Sequence, residues 1–382
     1  MSVTTHEDEV TSGSNEEPDV PEELARTALY ERHVELGAKF AAFGGWEMPL
    51  QYQGIVDEHN AVRGEVGLFD VSHLGKVSII GPGARAFVDS CLTNSLDKIE
   101  AGEAQYTLCC DESGGVVDDM IVYLRSDEEL MLVPNAANSD EVVRRLTEAA
   151  PEGVDVRDHQ RRYGILALQG PNSDAVLAAL WIPVGHDYMS FVDAHFHEIP
   201  ITVCRTGYTG ERGYELIIPW DDVHVLWDAL IAAGEPQGVV PCGLGARDTL
   251  RTEMGYPLHG QDLSKEISPF QGRAGWAVAL SKPSFWGRDA LAREKESGPA
   301  RRLRGIQALD RAIPRPGMTV TAGNSGTGTV TSGTFSPTLR QGIGLALLPS
   351  EVSEGDQVTV DIRGRSESFE VVRPPFVKSS PS

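Results

Sequence analysis

The chain has 382 residues and a formal net charge of −23, with 33 lysines and arginines against 56 aspartates and glutamates. At roughly 100–200 residues per domain its length allows about two to four domains, and 41% apolar residues predict a mostly globular protein. Because nucleic-acid binding requires concentrated positive charge, this balance argues against a nucleic-acid partner.

The first 24 residues are acidic, with eight acids up to Glu23 and no lysine or arginine. A segment with so few large apolar side chains cannot bury enough surface to order itself, so we expect a disordered tail over 1–24. Its acidity is unlike a secretory or transit signal, and the longest apolar run, 343–348, is too short to span a membrane. Five cysteines without a C-x-x-C pair are typical of a reducing compartment. We therefore expect a soluble, cytoplasmic protein with no membrane partner.

Helical and strand patterns alternate from about residue 25 to 295. Helices are predicted over 22–36, 55–66, 82–92 and 138–150, and strands over 69–81, 105–110 and 116–125. Asn138, with Glu141 three residues later, is predicted to cap the last of these helices. After a linker at 297–299, six short runs (302–308, 317–322, 327–335, 342–348, 356–363 and 366–373) predict a β-barrel or jelly roll. This indicates an α+β body over 25–295 and a β domain over 300–378.

Two adjacent acids, Asp118 and Asp119, stand inside a predicted strand, where aspartate is rare. Side chains alternate along a strand, so Asp119 shares a face with Tyr123, whereas Asp118 lies on the opposite, apolar face. A carboxylate beside a phenol indicates a small-molecule site. The alternative interpretation is an exposed sheet edge without a function.

The next run, 129–135, is predicted to return beside this strand as a hairpin. With a three-residue loop at 126–128, Arg125 lies opposite Glu129 and Asp119 lies opposite Asn135. One face of the hairpin then carries Asp119, Tyr123, Val133 and Asn135. A loop of different length would change which side chains meet.

Two Gly-rich segments could hold a ligand. Three glycines between Arg205 and Glu215 predict a tight turn, and Glu215 could accept two parallel hydrogen bonds from an N–H pair such as that of a pterin. The alternative is a hairpin without a ligand. Arg247 falls in the first turn of a predicted helix, where the helix dipole disfavours a cation. An anionic ligand or a nearby carboxylate would explain it, and a surface Arg–Asp pair is the alternative.

Two further patterns carry no function in our interpretation. Residues 81–86 are similar to a dinucleotide fingerprint, but Pro82 removes an N–H and no acid-terminated second strand follows, which argues against NAD or flavin. His195 and His197 have metal-binding side chains, but no third ligand cluster lies near them in the sequence. We therefore predict no metal site.

Eight segments, in this order, resemble the glycine cleavage system T proteins, the tetrahydrofolate-dependent aminomethyltransferases. They are 43–49 (FGGWEMP), 67–73 (GLFDVSH), 114–123 (GGVVDDMIVY), 133–136 (VPNA), 168–171 (LQGP), 205–215 (RTGYTGERGYE), 243–253 (GLGARDTLRTE) and 331–337 (TSGTFSP). The resemblance covers 29–377 and leaves only the acidic tail outside. The chain ends polar after residue 377, so a C-terminal contact of other members is not carried over.

The resemblance implies a three-domain ring around a central folate cavity, with a C-terminal β-barrel. It implies that Asp119 is the catalytic aspartate. The implied folate contacts are Tyr106, Tyr123, Val133, Asn135, Tyr188, Tyr208, Glu215, Arg247 and Trp276.

The implied reaction transfers a one-carbon unit from the aminomethyl-lipoyl arm of the H protein to tetrahydrofolate. The products are ammonia, 5,10-methylenetetrahydrofolate and the dihydrolipoyl H protein, and the P and L proteins are the functional partners in glycine catabolism. No metal, flavin or NAD is implied. A carboxylate near the folate nitrogens can take a proton or stabilise positive charge, and Asp119 is the candidate.

Two other functions stay open beside this one. One is a different folate-dependent demethylase of the same family, and the other is a non-enzymatic folate-binding protein of iron–sulfur assembly. The latter group has a cysteine in a K-G-C-Y-x-G-Q-E motif at the turn 205–211, where this chain has none.

Overall fold

The computed structural model describes residues 23–378 as a mixed α+β fold. The tail predicted over 1–24 lies almost entirely outside the described residues. The α-helices are α1 (Tyr30–Glu35), α2 (Ile55–Gly64), α3 (Ala84–Cys91), α4 (Ser139–Ala149), α5 (Ser173–Ala179), α6 (Val223–Gly234), α7 (Leu244–Met254) and α8 (Arg288–Ser297). No helix within 23–378 is long and apolar enough to cross a membrane.

The strands form two sheets in the body, a small hairpin and a barrel. The hairpin pairs β1 (Lys39–Phe43) with β2 (Trp46–Gln51). The six-stranded sheet has, in order, β10 (Phe191–Phe196), β11 (Ile199–Cys204), β12 (Gly213–Pro219), β9 (Tyr163–Gln169), β3 (Val66–Asp70) and β13 (Val239–Cys242). The five-stranded sheet has β5 (Glu103–Cys110), β6 (Val116–Ser126), β7 (Glu129–Val133), β4 (Val77–Ile80) and β8 (Asp155–Asp158).

Each body sheet has its own apolar core, and a third core joins the two. Side chains of α6, such as Trp227, pack on the six-stranded sheet, and those of α3 and α4 pack on the five-stranded sheet. The third core brings Tyr123 of β6 together with Phe69 and Phe191 of the six-stranded sheet. Burial of these aromatic rings, at about 25 cal/mol per Å² of apolar area, holds one face of β6 against the other sheet.

The barrel is closed and holds all six predicted short strands. Its order is β14 (Arg301–Ala308), β17 (Gln341–Pro349), β16 (Thr327–Ser336), β15 (Thr319–Thr321), β18 (Gln357–Ile362) and β19 (Arg365–Val372). The α+β class and the C-terminal barrel are therefore confirmed, with full closure rather than a two-sheet jelly roll. Closure pairs every strand on both sides and leaves no free edge.

Buried charges join the barrel to α7 of the body. Glu253 is buried and accepts hydrogen bonds from the Ser336 hydroxyl at 2.5 Å and from Arg63 at 2.8 Å. The Arg251 guanidinium binds Asp262 at 2.8 Å and donates to the Ser332 hydroxyl at 2.8 Å. The charges of Glu253, Arg251 and Asp262 are buried, so the junction depends on each of their partners being present.

The helix predicted over 22–36 and the strand predicted over 69–81 are partly wrong. Only Tyr30–Glu35 is helical, because the backbone of Ala25 bonds to Gly45 and Glu47 beside β2. The strand splits into β3 and β4, which belong to different sheets. Asp70 ends β3 by accepting the backbone N–H of Ser72 at 2.9 Å, a turn that competes with extended structure.

The β6–β7 hairpin has the predicted register at Ile121 but not at Arg125. Ile121 lies opposite Val133, as the predicted loop requires, yet Glu129 faces Ser126 and not Arg125. The turn is one residue shorter than predicted, and an irregularity between Leu124 and Ser126 restores the register. A β-bulge has this effect because it inserts one unpaired residue into a strand.

Candidate functional site

Asp119 of β6 is the half-buried carboxylate at the centre of the site. Its Oδ2 atom accepts a hydrogen bond from the Tyr106 hydroxyl of β5 at 2.9 Å. The side-chain amide of Asn135, just after β7, lies 3.1 Å from its Oδ1 atom and 2.9 Å from its backbone oxygen. Two neighbouring strands thus fix the orientation of a carboxylate that is still partly open to solvent.

Asp118 was predicted on an apolar face, and this prediction is wrong in one respect. Its side chain is fully buried, but three N–H groups surround it. They are the backbone and side-chain amides of Asn135, both at 2.9 Å, and the side-chain amide of Asn138 at 2.7 Å. A buried carboxylate needs such partners, and the loop after β7 supplies them. Asn135 therefore serves both acids, not Asp119 alone.

The two carboxyls influence each other's protonation. Burial raises the pKa of Asp118, and the adjacent charge of Asp119 raises it further, against the hydrogen bonds from Asn135 and Asn138. Burial also raises the pKa of Asp119, against the hydrogen bond from Tyr106. Two adjacent carboxyls, one buried and one half-buried, that share one amide donor resist being ionised together. The pair is therefore suited to hold and release a single proton.

Tyr123, on the same strand as the acid pair, is connected to Glu215 on the other sheet. The Tyr123 hydroxyl lies 3.1 Å from the Thr206 hydroxyl, which donates to Oε2 of Glu215 at 2.6 Å. Glu215 is half-buried on β12, as the sequence predicted for a strand-borne glutamate. The chain of three side chains holds the Glu215 carboxylate in one orientation, and its Oε1 atom makes no hydrogen bond among residues 23–378.

Arg247 lies in the first turn of α7 above the ring of Tyr208. Its guanidinium carbon is 4.8 Å from that ring, and its Nη1 atom is buried without a hydrogen-bond partner among residues 23–378. Burial lowers the pKa of Arg247, and the charge of Glu215 opposes this. The alternative of a surface pair with Asp248 is excluded, because Asp248 binds Arg251 at 2.7 Å. A buried donor without a partner indicates a place for an acceptor on a ligand.

Three further predicted residues border the same region. The Trp276 ring is 67% exposed and stacks on Tyr106 at a centroid distance of 5.3 Å. Burial and then the charge of Glu215 raise the pKa of Tyr188, which lies on the loop before β10. Val133 of β7 is half-buried beside the Tyr123 core. The structure thus brings the predicted residues together from both body sheets, α7 and the segment before α8.

A cavity of about 380 Å³ opens beside Trp276, where the body meets the barrel. Its charged lining residues are Arg273, Arg302, Arg304, Arg373 and Glu354. Burial lowers the pKa of Arg273, and the charges of Arg373 and Arg304 lower it further. The Nε atom of Arg304 is buried and has no hydrogen-bond partner in the part of the chain described. Four cations with one anion, in a strongly acidic protein, form a local site for an anionic group.

Two family profiles match the chain. That of the GCVT N-terminal domain matches residues 29–282, and that of the glycine cleavage T-protein C-terminal barrel domain matches residues 301–378. The chain belongs to the glycine cleavage T-protein family. The predicted resemblance is thereby confirmed.

Relatives match this chain over nearly its full length and theirs. An aminomethyltransferase from Frankia alni is 61% identical over 94% of this chain and 99% of its own. One from Mycobacterium tuberculosis H37Rv is 57% identical over 94% of this chain and 98% of its own. The crystal structure of glycine cleavage system aminomethyltransferase T from Bartonella henselae is 32% identical, with a TM-score of 0.87 over 93% of this chain and 98% of that one.

Asn138, His259 and Thr206 are parts of this T-protein site that the sequence analysis missed. Asn138 was predicted as a helix cap, but its side chain makes no cap bond and instead contacts Asp118 and His259. An asparagine before a helix is usually a cap, so the pattern itself was misleading. No sequence signal marks His259, because a loop brings it to Asn138 from 121 positions away.

Proposed function

We propose that this protein is the aminomethyltransferase of a glycine cleavage system. It transfers the one-carbon unit of the aminomethyl-lipoyl H protein to tetrahydrofolate, releases ammonia and forms 5,10-methylenetetrahydrofolate. The observation that supports this most is the half-buried Asp119 carboxylate, held by Tyr106 and Asn135 in a chain of the T-protein family. The relatives that match nearly the whole chain are aminomethyltransferases.

In this proposal Asp119 acts at the folate nitrogens. Attack of a nitrogen on the aminomethyl carbon develops positive charge, and a nearby carboxylate can stabilise that charge or accept the proton. The raised pKa of Asp119 matches this role, because burial destabilises the ionised carboxylate and so favours its taking a proton. Positioning supplies much of the remaining acceleration, because the second substrate arrives on a flexible arm.

Glu215 is proposed to orient the pterin and not to take part in proton transfer. Its carboxylate, with one oxygen held by Thr206, can accept the parallel N–H pair of the amino-pyrimidinone edge. Arg247, whose buried Nη1 donor has no hydrogen-bond partner in the part of the chain that the structure describes, faces the same region and can donate to a pterin oxygen. Donor and acceptor together would fix one orientation of the ring, whose two edges differ in hydrogen-bonding pattern.

We expect Glu215→Gln to weaken tetrahydrofolate binding by about 5- to 150-fold, with a much smaller effect on turnover at saturation. Glutamine keeps the shape but sets an N–H against a pterin N–H, a mismatch of about 1–3 kcal/mol. Calorimetric titration and the saturated rate measure the two effects. Glu198→Gln, an exposed glutamate in the β10–β11 turn, is the control. Unchanged affinity with collapsed turnover would instead assign Glu215 to the proton transfers.

The glutamate tail of tetrahydrofolate is proposed to enter the arginine-lined cavity. Trp276 borders that cavity and also stacks on Tyr106, which binds Asp119. A substrate with its reactive nitrogens near Asp119 could therefore extend past Trp276 toward Arg304. Carboxylates of the tail are the groups that arginine forks bind best.

Arg304→Gln should weaken binding of tetrahydrofolate by about tenfold, because a charge-assisted bond to a carboxylate contributes about 1.5–3 kcal/mol and the cavity is partly hydrated. The loss should shrink as salt screens the remaining charges. Titrations at low and high ionic strength check this. Arg363→Gln removes the same charge from an exposed barrel turn and should leave affinity unchanged. Equal tetrahydrofolate affinities for the two variants would show that the glutamate tail does not bind in this cavity.

The proposed partners are the lipoylated H protein and, functionally, the P and L proteins. A cytoplasmic location is proposed because all five cysteines are free and buried, which is typical of a reducing compartment. No metal, flavin or NAD is proposed. The decisive assay measures ammonia release from aminomethylated H protein with tetrahydrofolate. Folate binding without ammonia release would favour the non-enzymatic alternative, and release of a methyl group from a small amine would favour the demethylase.

A further inference from the structure

His259 lies in the loop after α7, close to the acid pair but on a different part of the chain. Its Nε2 atom is 2.9 Å from the backbone oxygen of Val116, at the start of β6. Its Nδ1 atom is 2.9 Å from the side-chain nitrogen of Asn138. The same Asn138 nitrogen is 2.7 Å from Oδ1 of Asp118. One imidazole therefore connects the strand backbone to the buried acid through a single amide.

The hydrogen-bond directions along this connection follow from one fixed acceptor. A backbone oxygen can only accept, so Nε2 of His259 carries the hydrogen and donates to Val116. In the neutral ring Nδ1 is then an acceptor, and the Asn138 group facing it must be the donating NH₂. That NH₂ has a second hydrogen, which is directed to the carboxylate of Asp118. With a neutral His259 ring and an ionised Asp118, no other tautomer or amide orientation satisfies all three contacts.

The consequence is that both hydrogens of the Asn138 amide are engaged. If Nδ1 of His259 did not accept, the amide would keep one bond and could turn about its side-chain torsions. Asp118 would then hold one of its three N–H donors less firmly, and Asn135, which bonds to both acids, would follow Asp118. A displacement of the Asp118 side chain would therefore also displace Asp119, because Asn135 binds both.

We propose that His259 is a positioning residue for the acid pair, acting through Asn138. Its Nδ1 atom holds the Asn138 amide toward Asp118 and thereby keeps Asn135 and Asp119 in their working orientation. This inference rests on the proposed function of Asp119. It assigns His259 no contact with either substrate.

Two conservative variants separate the two bonds of His259. Asparagine keeps an acceptor near the position of Nδ1, whereas glutamine keeps a donor near the position of Nε2. We expect His259→Asn to retain kcat within about threefold of the unchanged protein. We expect His259→Gln to lower kcat by about 10- to 100-fold with little change in KM for tetrahydrofolate, because a small displacement of a reacting group has effects of this size.

A merely structural role for His259 predicts the reverse order. If the bond to Val116 anchored the loop and nothing more, His259→Gln would keep its activity and His259→Asn would lose stability and rate. In an Asn138→Ala background, the proposal requires that His259→Gln lower kcat no further, since both changes interrupt one connection. Full additivity of the two effects overturns it.

Nitrogen-15 NMR of histidine-labelled protein tests the connection without any activity. The His259 signal, assigned by its absence in His259→Asn, should be that of the Nε2–H tautomer. An Nδ1–H tautomer overturns the inference whatever the assay gives. Lack of ammonia release by the unchanged protein would contradict the proposed function alone and leave the NMR result to decide the role of His259.

Discussion

Replacing Asp119 with asparagine is expected to lower turnover by about 10²- to 10⁴-fold while leaving the fold intact, the range for a lost acid–base group. The fold should survive because the asparagine oxygen can still accept the Tyr106 hydroxyl. Its new NH₂ would face the Asn135 amide, whose two hydrogens retain Asp118 and the backbone oxygen of residue 119 as acceptors. The chemistry is lost because asparagine can neither take a proton nor balance positive charge.

Single-turnover ammonia release with saturating tetrahydrofolate measures this effect apart from product release. Asp140→Asn is the matched control, since Asp140 is exposed in the first turn of α4 and makes no side-chain hydrogen bond among the described residues. Folate affinity and the melting temperature should change little in both variants. If the rate of Asp119→Asn were within threefold of that of the unchanged protein, Asp119 would have no catalytic role.

Glu253→Gln should lower the free energy of unfolding by about 3 kcal/mol, the lower end of the cost of breaking a buried ion pair. Glu253 is fully buried and binds Arg63 of α2 and the Ser336 and Thr338 hydroxyls of the barrel. Glutamine would remove one of the two carboxylates that bind Arg63, the other being Glu211, and would set an N–H against other donors. Denaturant unfolding measures the loss, and Glu351→Gln, at an exposed barrel turn, should have no effect.

The stabilisation that Glu253 contributes to the folded protein should decrease at acidic pH. Burial opposes its ionisation, but the hydrogen bonds and charges of His59, Ser336 and Arg63 outweigh burial and lower its pKa from 4.5 to about 2. Because the folded pKa is depressed, the stabilisation is complete above pH 4.5 and is lost as pH falls toward 2. The difference in unfolding free energy between the unchanged protein and Glu253→Gln should narrow over that interval. A constant difference would mean that the effect is steric.

Local patterns in the sequence predicted the barrel strands and the pairs of the β6–β7 hairpin. The register of the hairpin survives a turn of a different length, because a slip by one residue would exchange the side chains that the two faces of β6 bury in different cores. The split between β3 and β4 was missed because a hydrophobic run does not reveal which sheet each half joins. That assignment depends on the Asp70 turn and on contacts distant in the sequence.

The candidate site was predicted in its parts but not in its connections. Asp119, Tyr123 and Asn135 share a hairpin, so strand periodicity alone could group them. The contacts of Asp118 with Asn138 and of Thr206 with Glu215 join segments far apart, and each partner type is common elsewhere in proteins. Arg247 shows the same limit: the helix position indicated an unusual cation, and only the structure showed that Asp248 binds another arginine.

Hydrogen bonds between charged side chains of α7 and hydroxyls of the barrel determine where the chain can be divided. A fragment that ends before Arg301 would lack Ser332 and Ser336. The charges of Arg251 and Glu253 would then be exposed or would lose these hydroxyl partners. Asp262, which binds Arg251, also accepts the Thr331 hydroxyl at 2.5 Å and lies three residues from His259. Truncation would therefore loosen the loop beside the acid pair as well as the junction. Expression of the body by itself should yield an insoluble product, and adding the separately made barrel during refolding should recover it.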